Sequence, residues 1–168
     1  MSQHSSFPVA HLFVMELEGS YRQAQPCEVV AAALDLVQAQ VQRGFVLTSP
    51  SAAREYLAVR LGGLEHEVFA VVFLDAQNRV IEYQEMFRGT VSQTAVYPRE
   101  VVKAALALNA VGAILVHNHP SGSTEPSRAD EYLTQTLKTA LALVEVRVID
   151  HLLIAGSGVV SFAERGLL

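Results

Sequence analysis

Val68-Phe-Ala-Val-Val-Phe-Leu74 is an apolar run bounded by Glu67 and Asp75. A run of β-branched and aromatic residues with no polar alternation predicts a central strand covered on both faces. Asp75-Ala-Gln-Asn78 predicts a turn. The segment after it, RVIEYQEMFRGT, alternates, so that Ile81, Tyr83 and Phe87 fall on one face of a second strand. Two further strands are predicted in Gly112-Ala-Ile-Leu-Val116 and in EVRVIDHLLIA, with VVSF following a Gly-Ser-Gly turn to close an edge of the sheet.

Between these runs the apolar positions recur at helical spacing. Pro26 opens one helical segment, with Val30, Ala33, Leu34, Val37 and Val41 on a face and Gly44 as its stop. A second begins with Ser49 as N-cap and Pro50 at the first helical position, and ends at Gly62-Gly63. Pro98 opens a third, PREVVKAALALN, with Glu100 in the first turn, where the helix dipole favours a negative charge. A fourth is expected from about Ser127 to Leu143. This order predicts a mixed central sheet flanked by helices, a single α/β (α+β) domain. Residues 49–168 are read as that domain, 26–48 as a helical segment before it, and 1–25 as an N-terminal arm.

Composition narrows the function classes. The chain has 168 residues, 51% of them hydrophobic and 17% charged, enough for one domain with a real core. Its net charge is −5, and its 12 Lys and Arg are spread along the chain rather than clustered. Direct binding to nucleic acid is therefore not expected. The one cysteine, Cys27, excludes an internal disulfide and a cysteine-rich zinc knuckle, fits a reducing cytoplasm, and is read as a buried small hydrophobe. The N-terminus lacks the pattern of a secretory signal. The most apolar window, Val101–Val116, is interrupted by Lys103 and Asn109 and is too short to span a bilayer. A soluble, cytoplasmic protein without a membrane partner is expected. A mean hydropathy of +0.28 leaves room for a homo-oligomeric interface.

Candidate chemistry is concentrated in HNHPSGSTEPSRAD, residues His117 to Asp130. In an extended backbone, residues i and i+2 face the same side, so His117 and His119 aim both imidazoles together while Asn118 points away. Pro120 and Gly122 end the strand and turn the chain. Asp130 returns on the first turn of the next helix as a third ligand. Two histidines and one carboxylate, with a position left for water, form the ligand set of a catalytic zinc site. Ser127-x-x-Asp130 also reads as a helix capping box. Capping explains Asp130 but not two same-face histidines at the end of an apolar strand.

His-x-His-Pro, six residues, then Ser-x-x-Asp resembles the JAMM motif of the MPN/JAB-domain metallopeptidases. GTVSQTAVYPREVVKAALALNAVGAILVHNHPSG, then EPSRAD and later VIDHLLIAG, resemble the RadC-like branch of that family from about Ser49 to the C-terminus. Members often carry a helix-hairpin-helix module ahead of this domain; none is expected in these 168 residues, so the resemblance is to a short form. It implies the JAB/MPN architecture, three layers like those of cytidine deaminases, and one Zn2+ per chain on His117, His119 and Asp130. By the same resemblance, Ser127 steadies the tetrahedral intermediate, and a glutamate just before an early buried strand is the general base.

Glu67 matches that glutamate best. Glu55, Glu65, Glu82 and Glu85 compete with it, and the residues alone leave Glu67 and Glu85 open. The implied reaction is hydrolysis of a peptide or isopeptide bond in a peptide or protein substrate. The zinc activates water, Glu67 moves its proton to the leaving amine, and Ser127 donates to the oxyanion. Asp150-His151 also belongs to the RadC-like pattern, but a histidine beside an aspartate on a strand reads as a satisfied core pair and is left out of the ligand set. Asn118 and Ser121 are read as donors that orient the ligand loop, and His4, His11 and His66 as incidental. The alternatives are a DNA-repair-associated RadC-like role and a zinc-binding MPN scaffold without turnover. A zinc deaminase would need His-x-Glu and Pro-Cys-x-x-Cys, which one cysteine excludes.

Overall fold

The structure is a computed structural model that describes residues 12–41, 50–89 and 96–168. In chain order its elements are β1 (Phe13–Met15), β2 (Tyr21–Gln23), α1 (Pro26–Val41), α2 (Pro50–Leu61), β3 (Val68–Leu74), β4 (Val80–Arg88), α3 (Pro98–Ala107), β5 (Gly112–Asn118), α4 (Arg128–Ala142), β6 (Arg147–Ala155) and β7 (Gly158–Ser161). The chain divides between Leu36 and Val37 into two compact units. The expected N-cap at Ser49 and the helix stop at Gly44 lie outside the described residues, as do His4 and His11.

The larger unit is a three-layer α+β domain around a mixed five-stranded sheet in the order β4-β3-β5-β6-β7. Only β5 and β6 run parallel, joined by the crossover through α4 that a parallel pair requires. Every residue of β3 is buried, because its two faces meet two different cores. Phe69, Val71 and Phe73 pack with Val101 and Ala105 of α3 and Leu137 and Leu141 of α4. Val68, Ala70, Val72 and Leu74 pack with Tyr56, Leu57 and Leu61 of α2. The unbroken apolar run is thus two interleaved period-2 patterns, one for each layer of helices.

Strand β4 departs from the expected alternation. Phe87 pairs with Phe69 and Glu85 with Ala70, which leaves Met86 as the extra residue of a β-bulge. One inserted residue reverses the parity of everything beyond it. Tyr83, opposite Val72, therefore packs in the α2 core, whereas Phe87 packs on the α3–α4 side. Ile81 is itself the extra residue at a second irregularity, between the pairs Phe73↔Glu82 and Leu74↔Val80. The three side chains do not share a face.

Two glycines are required by geometry. A Cβ on Gly62 would lie 2.2 Å from the Gly156 carbonyl oxygen and 2.6 Å from that of Ala58, so α2 ends where the β6–β7 turn crosses it. Gly122 has φ of +76° and donates its N–H to the His119 carbonyl at 3.0 Å, closing a turn with Pro120 at its second position.

The smaller unit holds the antiparallel hairpin β1–β2, so residues 12–25 carry more regular structure than the arm expected there. Within it Arg22 bridges Glu16 and Glu28. Cys27 is exposed rather than buried. It stands near the start of α1, where the neighbouring residues are themselves largely exposed, so its apolar character finds no core to enter. Among the described residues no helix is long and apolar enough to cross a membrane.

Candidate metal centre

Strand β5 runs through the middle of the sheet, and its ladder continues beyond the apolar run to His117 and Asn118. His117 pairs with Phe69 on one side and Leu153 on the other. The His119 N–H then donates to the Ile154 carbonyl at 2.8 Å, so both histidines are seated by the main chain of β6. From the His119–Gly122 turn the chain reaches α4, whose N-cap is Ser127. The site lies at the carboxyl end of a central strand and the amino end of the helix that follows, where α/β sheets commonly hold ligands.

The capping box is complete. The Asp130 N–H donates to Ser127 Oγ at 3.2 Å, and Asp130 Oδ2 accepts from both the N–H and the hydroxyl of Ser127 at 2.7 Å. The cap fixes the Asp130 carboxylate against the histidines. Its Oδ1 lies 3.6 Å from His117 Nε2 and its Oδ2 3.5 Å from His119 Nε2, while the two Nε2 atoms are 3.2 Å apart. One ligand atom from each of the three residues fits within a 4.8 Å cluster.

The tautomers follow from the partners. His119 Nδ1 lies 3.0 Å from the Ser123 carbonyl, which can only accept, so Nδ1 carries the hydrogen and Nε2 presents a lone pair. His117 Nδ1 lies 2.8 Å from His151 Nε2, and His151 Nδ1 lies 2.6 Å from Thr134 Oγ1. His151 is fully buried, and burial first, with His117 nearby, pushes its pKa well below the ordinary value against the opposing effect of Asp130. A His117 that donates from Nδ1 to His151 would likewise turn an Nε2 lone pair into the space beside the carboxylate. Two imidazole nitrogens and a carboxylate oxygen gathered this closely form a donor set that could hold a metal ion.

His151 is the residue beside the cluster that sequence reasoning placed least well. It is a core residue, as expected, and stands outside the three-residue ligand cluster. Its ring is satisfied by His117 and Thr134 rather than by Asp150, whose carboxylate instead accepts from the His151 N–H, the Ala163 N–H and the Ser161 hydroxyl. The usable signal was Thr134, a hydroxyl in the buried stripe of α4 with Leu137 and Leu141, one turn after Asp130.

Glu67 is half-buried, one residue before β3, with its carbonyl accepting from the Gly89 N–H at 2.8 Å. Continuing the antiparallel register beyond Phe69↔His117 sets Val68 opposite Asn118 and Glu67 opposite His119. Residues opposite each other in a ladder share a face, so Glu67 stands at a register position on the histidine side. Glu85 does not. It is opposite Ala70, on the α2 side, where it meets Arg60 at 3.4 Å. Glu82 is opposite Phe73, four residues along β3 from the site, or about 13 Å. Glu55 belongs to α2, and Glu65 is exposed.

Asn118 acts on the glutamate segment rather than on the ligand loop. Its Oδ1 accepts from the Val68 N–H at 2.7 Å and its Nδ2 donates to the His66 carbonyl at 3.0 Å, clasping the backbone on both sides of Glu67. His66 thus takes part through its main chain. Ser121 stays with the loop, where its hydroxyl oxygen faces the Ser123 N–H at 3.4 Å.

The profile of the RadC-like JAB domain matches residues 47–167. Over 150 residues, 89% of the chain, the sequence is 58% identical to a UPF0758 protein of Leptothrix cholodnii, of which that alignment covers 68%. A UPF0758 protein of Methylibium petroleiphilum is 56% identical over the same length with the same coverage, and one of a Polaromonas species is 53% identical with 67% of its length covered.

Proposed function

The chain belongs to the RadC-like JAB domain family, and on that premise we propose that it is a zinc-dependent hydrolase of peptide or isopeptide bonds. The observation that carries this reading is the convergence of His117 Nε2, His119 Nε2 and the Asp130 carboxylate, with both imidazoles hydrogen-bonded through Nδ1. These three residues would hold the ion. Zinc in such a site supplies Lewis acidity, which makes water a nucleophile near neutral pH and polarises a carbonyl.

The chain's own groups supply the rest. Glu67, two residues before the Phe69 that pairs with His117, takes the proton of the attacking water and returns it to the leaving nitrogen. Ser127 presents the hydroxyl next to the ligand carboxylate. Rotated from Asp130 toward the scissile group, it donates to the oxyanion. The substrate is a peptide or protein segment that enters over the exposed loop from Ser121 to Glu125.

Two measurements test the proposal. Purified protein should carry zinc, and His117→Ala with His119→Ala should remove it. Proteome-wide profiling of new peptide termini should show cleavage that Glu67→Gln abolishes while zinc is kept. A wild-type protein without zinc would overturn the metal reading, and full activity in Glu67→Gln would overturn the choice of base.

A further inference from the structure

Each hydrogen bond on the path from His117 into the core has a direction set by what its partners can give. Thr134 Oγ1 lies 2.6 Å from the main-chain carbonyl of Asp130, which has no hydrogen to give, so the single hydroxyl hydrogen is spent there. The contact from His151 Nδ1 to the same Oγ1, also 2.6 Å, must then carry its hydrogen on the imidazole. His151 has no exposed surface and no carboxylate at either ring nitrogen, so it holds one ring hydrogen, on Nδ1, and its Nε2 lone pair accepts from His117 Nδ1 at 2.8 Å. His117 is left with its lone pair on Nε2, the atom in the ligand cluster.

We propose that Thr134 and His151 are positioning residues that lock His117 in the Nδ1–H tautomer and so set the zinc affinity of the site. The relay starts and ends in the first turn of α4, because Asp130 gives its carboxylate to the cluster and its carbonyl to Thr134. One helical turn therefore fixes a ligand directly and a second ligand through three hydrogen bonds. His151 is held for this task by stacking on Phe162, with ring centroids 4.4 Å apart, and by an edge contact with Phe69. Thr134 and His151 have no exposed surface, so no water competes for either bond. The inference rests on the metal reading above.

The probe is Zn2+ itself, titrated against a chromophoric chelator with the purified full chain. Thr134→Val keeps the shape and removes the hydroxyl, freeing His151 to flip its hydrogen to Nε2 and His117 to follow. Its zinc affinity should fall about 10- to 100-fold, the usual effect of removing an outer partner of a ligating histidine. Thr134→Ser keeps the hydroxyl and should bind as the wild type does. A readout that needs no variant is the nitrogen-15 spectrum of the histidines in the metal-free wild type, in which His117 should show hydrogen on Nδ1.

Equal zinc affinity in Thr134→Val and wild type, or an Nε2–H signature at His117, would overturn the relay while leaving the metal site intact. A wild-type chain that takes up no zinc would refute the ligand reading and the relay with it. If Thr134→Val does not fold, the wild-type spectrum still decides.

Discussion

Asn118→Ala tests the clasp that holds the start of β3. Asn118 is 1% exposed, and its amide pairs with the Val68 N–H and the His66 carbonyl. Truncation leaves both main-chain groups without that partner. The Val68 N–H is in a residue 1% exposed, whereas His66 is only partly buried and water can reach its carbonyl. An unsatisfied buried donor costs about 1–3 kcal/mol, and the space left by the amide adds to it, for a total of about 2–4 kcal/mol. Urea denaturation should show a lower midpoint with an unchanged slope. Hydrogen exchange should lose its protection at Val68 while the middle of β3 keeps its own. Neither atom of the amide touches the ligand cluster, so zinc content should stay at the wild-type level while turnover falls as Glu67 loosens. A loss of less than about 0.5 kcal/mol with Val68 still protected would refute the reasoning.

Ser127→Ala should cost about 0.5–2 kcal/mol in stability through the lost cap, and should weaken zinc binding because Asp130 loses its hydroxyl donor. Calorimetric unfolding and chelator competition measure the two effects. Gly62→Ala should destabilise by about 1–3 kcal/mol or more, since its Cβ would meet the Gly156 and Ala58 carbonyls, and a shift in unfolding midpoint reads this. Glu85→Gln should leave cleavage unchanged, because Glu85 lies on the α2 side of the sheet. A loss of activity there comparable to that of Glu67→Gln would contradict the register argument.

What the sequence made legible was whatever depends on local periodicity. Val68–Leu74 reads as a strand because both its faces are apolar, and it is buried throughout. The pairing of His117 with His119 follows from i, i+2 alternation, and the Ser127–Asp130 cap from its spacing, and the fold brings all of these together. Features that depend on pairing between distant segments were not legible. The bulge at Met86 reverses the side that Phe87 faces, and nothing within β4 announces it.

The choice between Glu67 and Glu85 was open to residue-level reading because it turns on cross-strand register, a property of two segments rather than one. His151 looked like a partner for its neighbour Asp150, yet its ring meets groups 34 and 17 residues away. The hairpin β1–β2 was missed because its three-residue strands are mostly exposed and carry no apolar alternation.

The central claim is that two imidazoles and a carboxylate on this chain hold one zinc ion. X-ray absorption at the zinc edge of the purified protein tests it most directly. The account predicts one zinc per chain with two imidazole nitrogens at about 2.0–2.1 Å and oxygen completing the shell, lost in His117→Ala with His119→Ala. A chain without zinc, or a zinc shell containing the sulfur of Cys27, would contradict it.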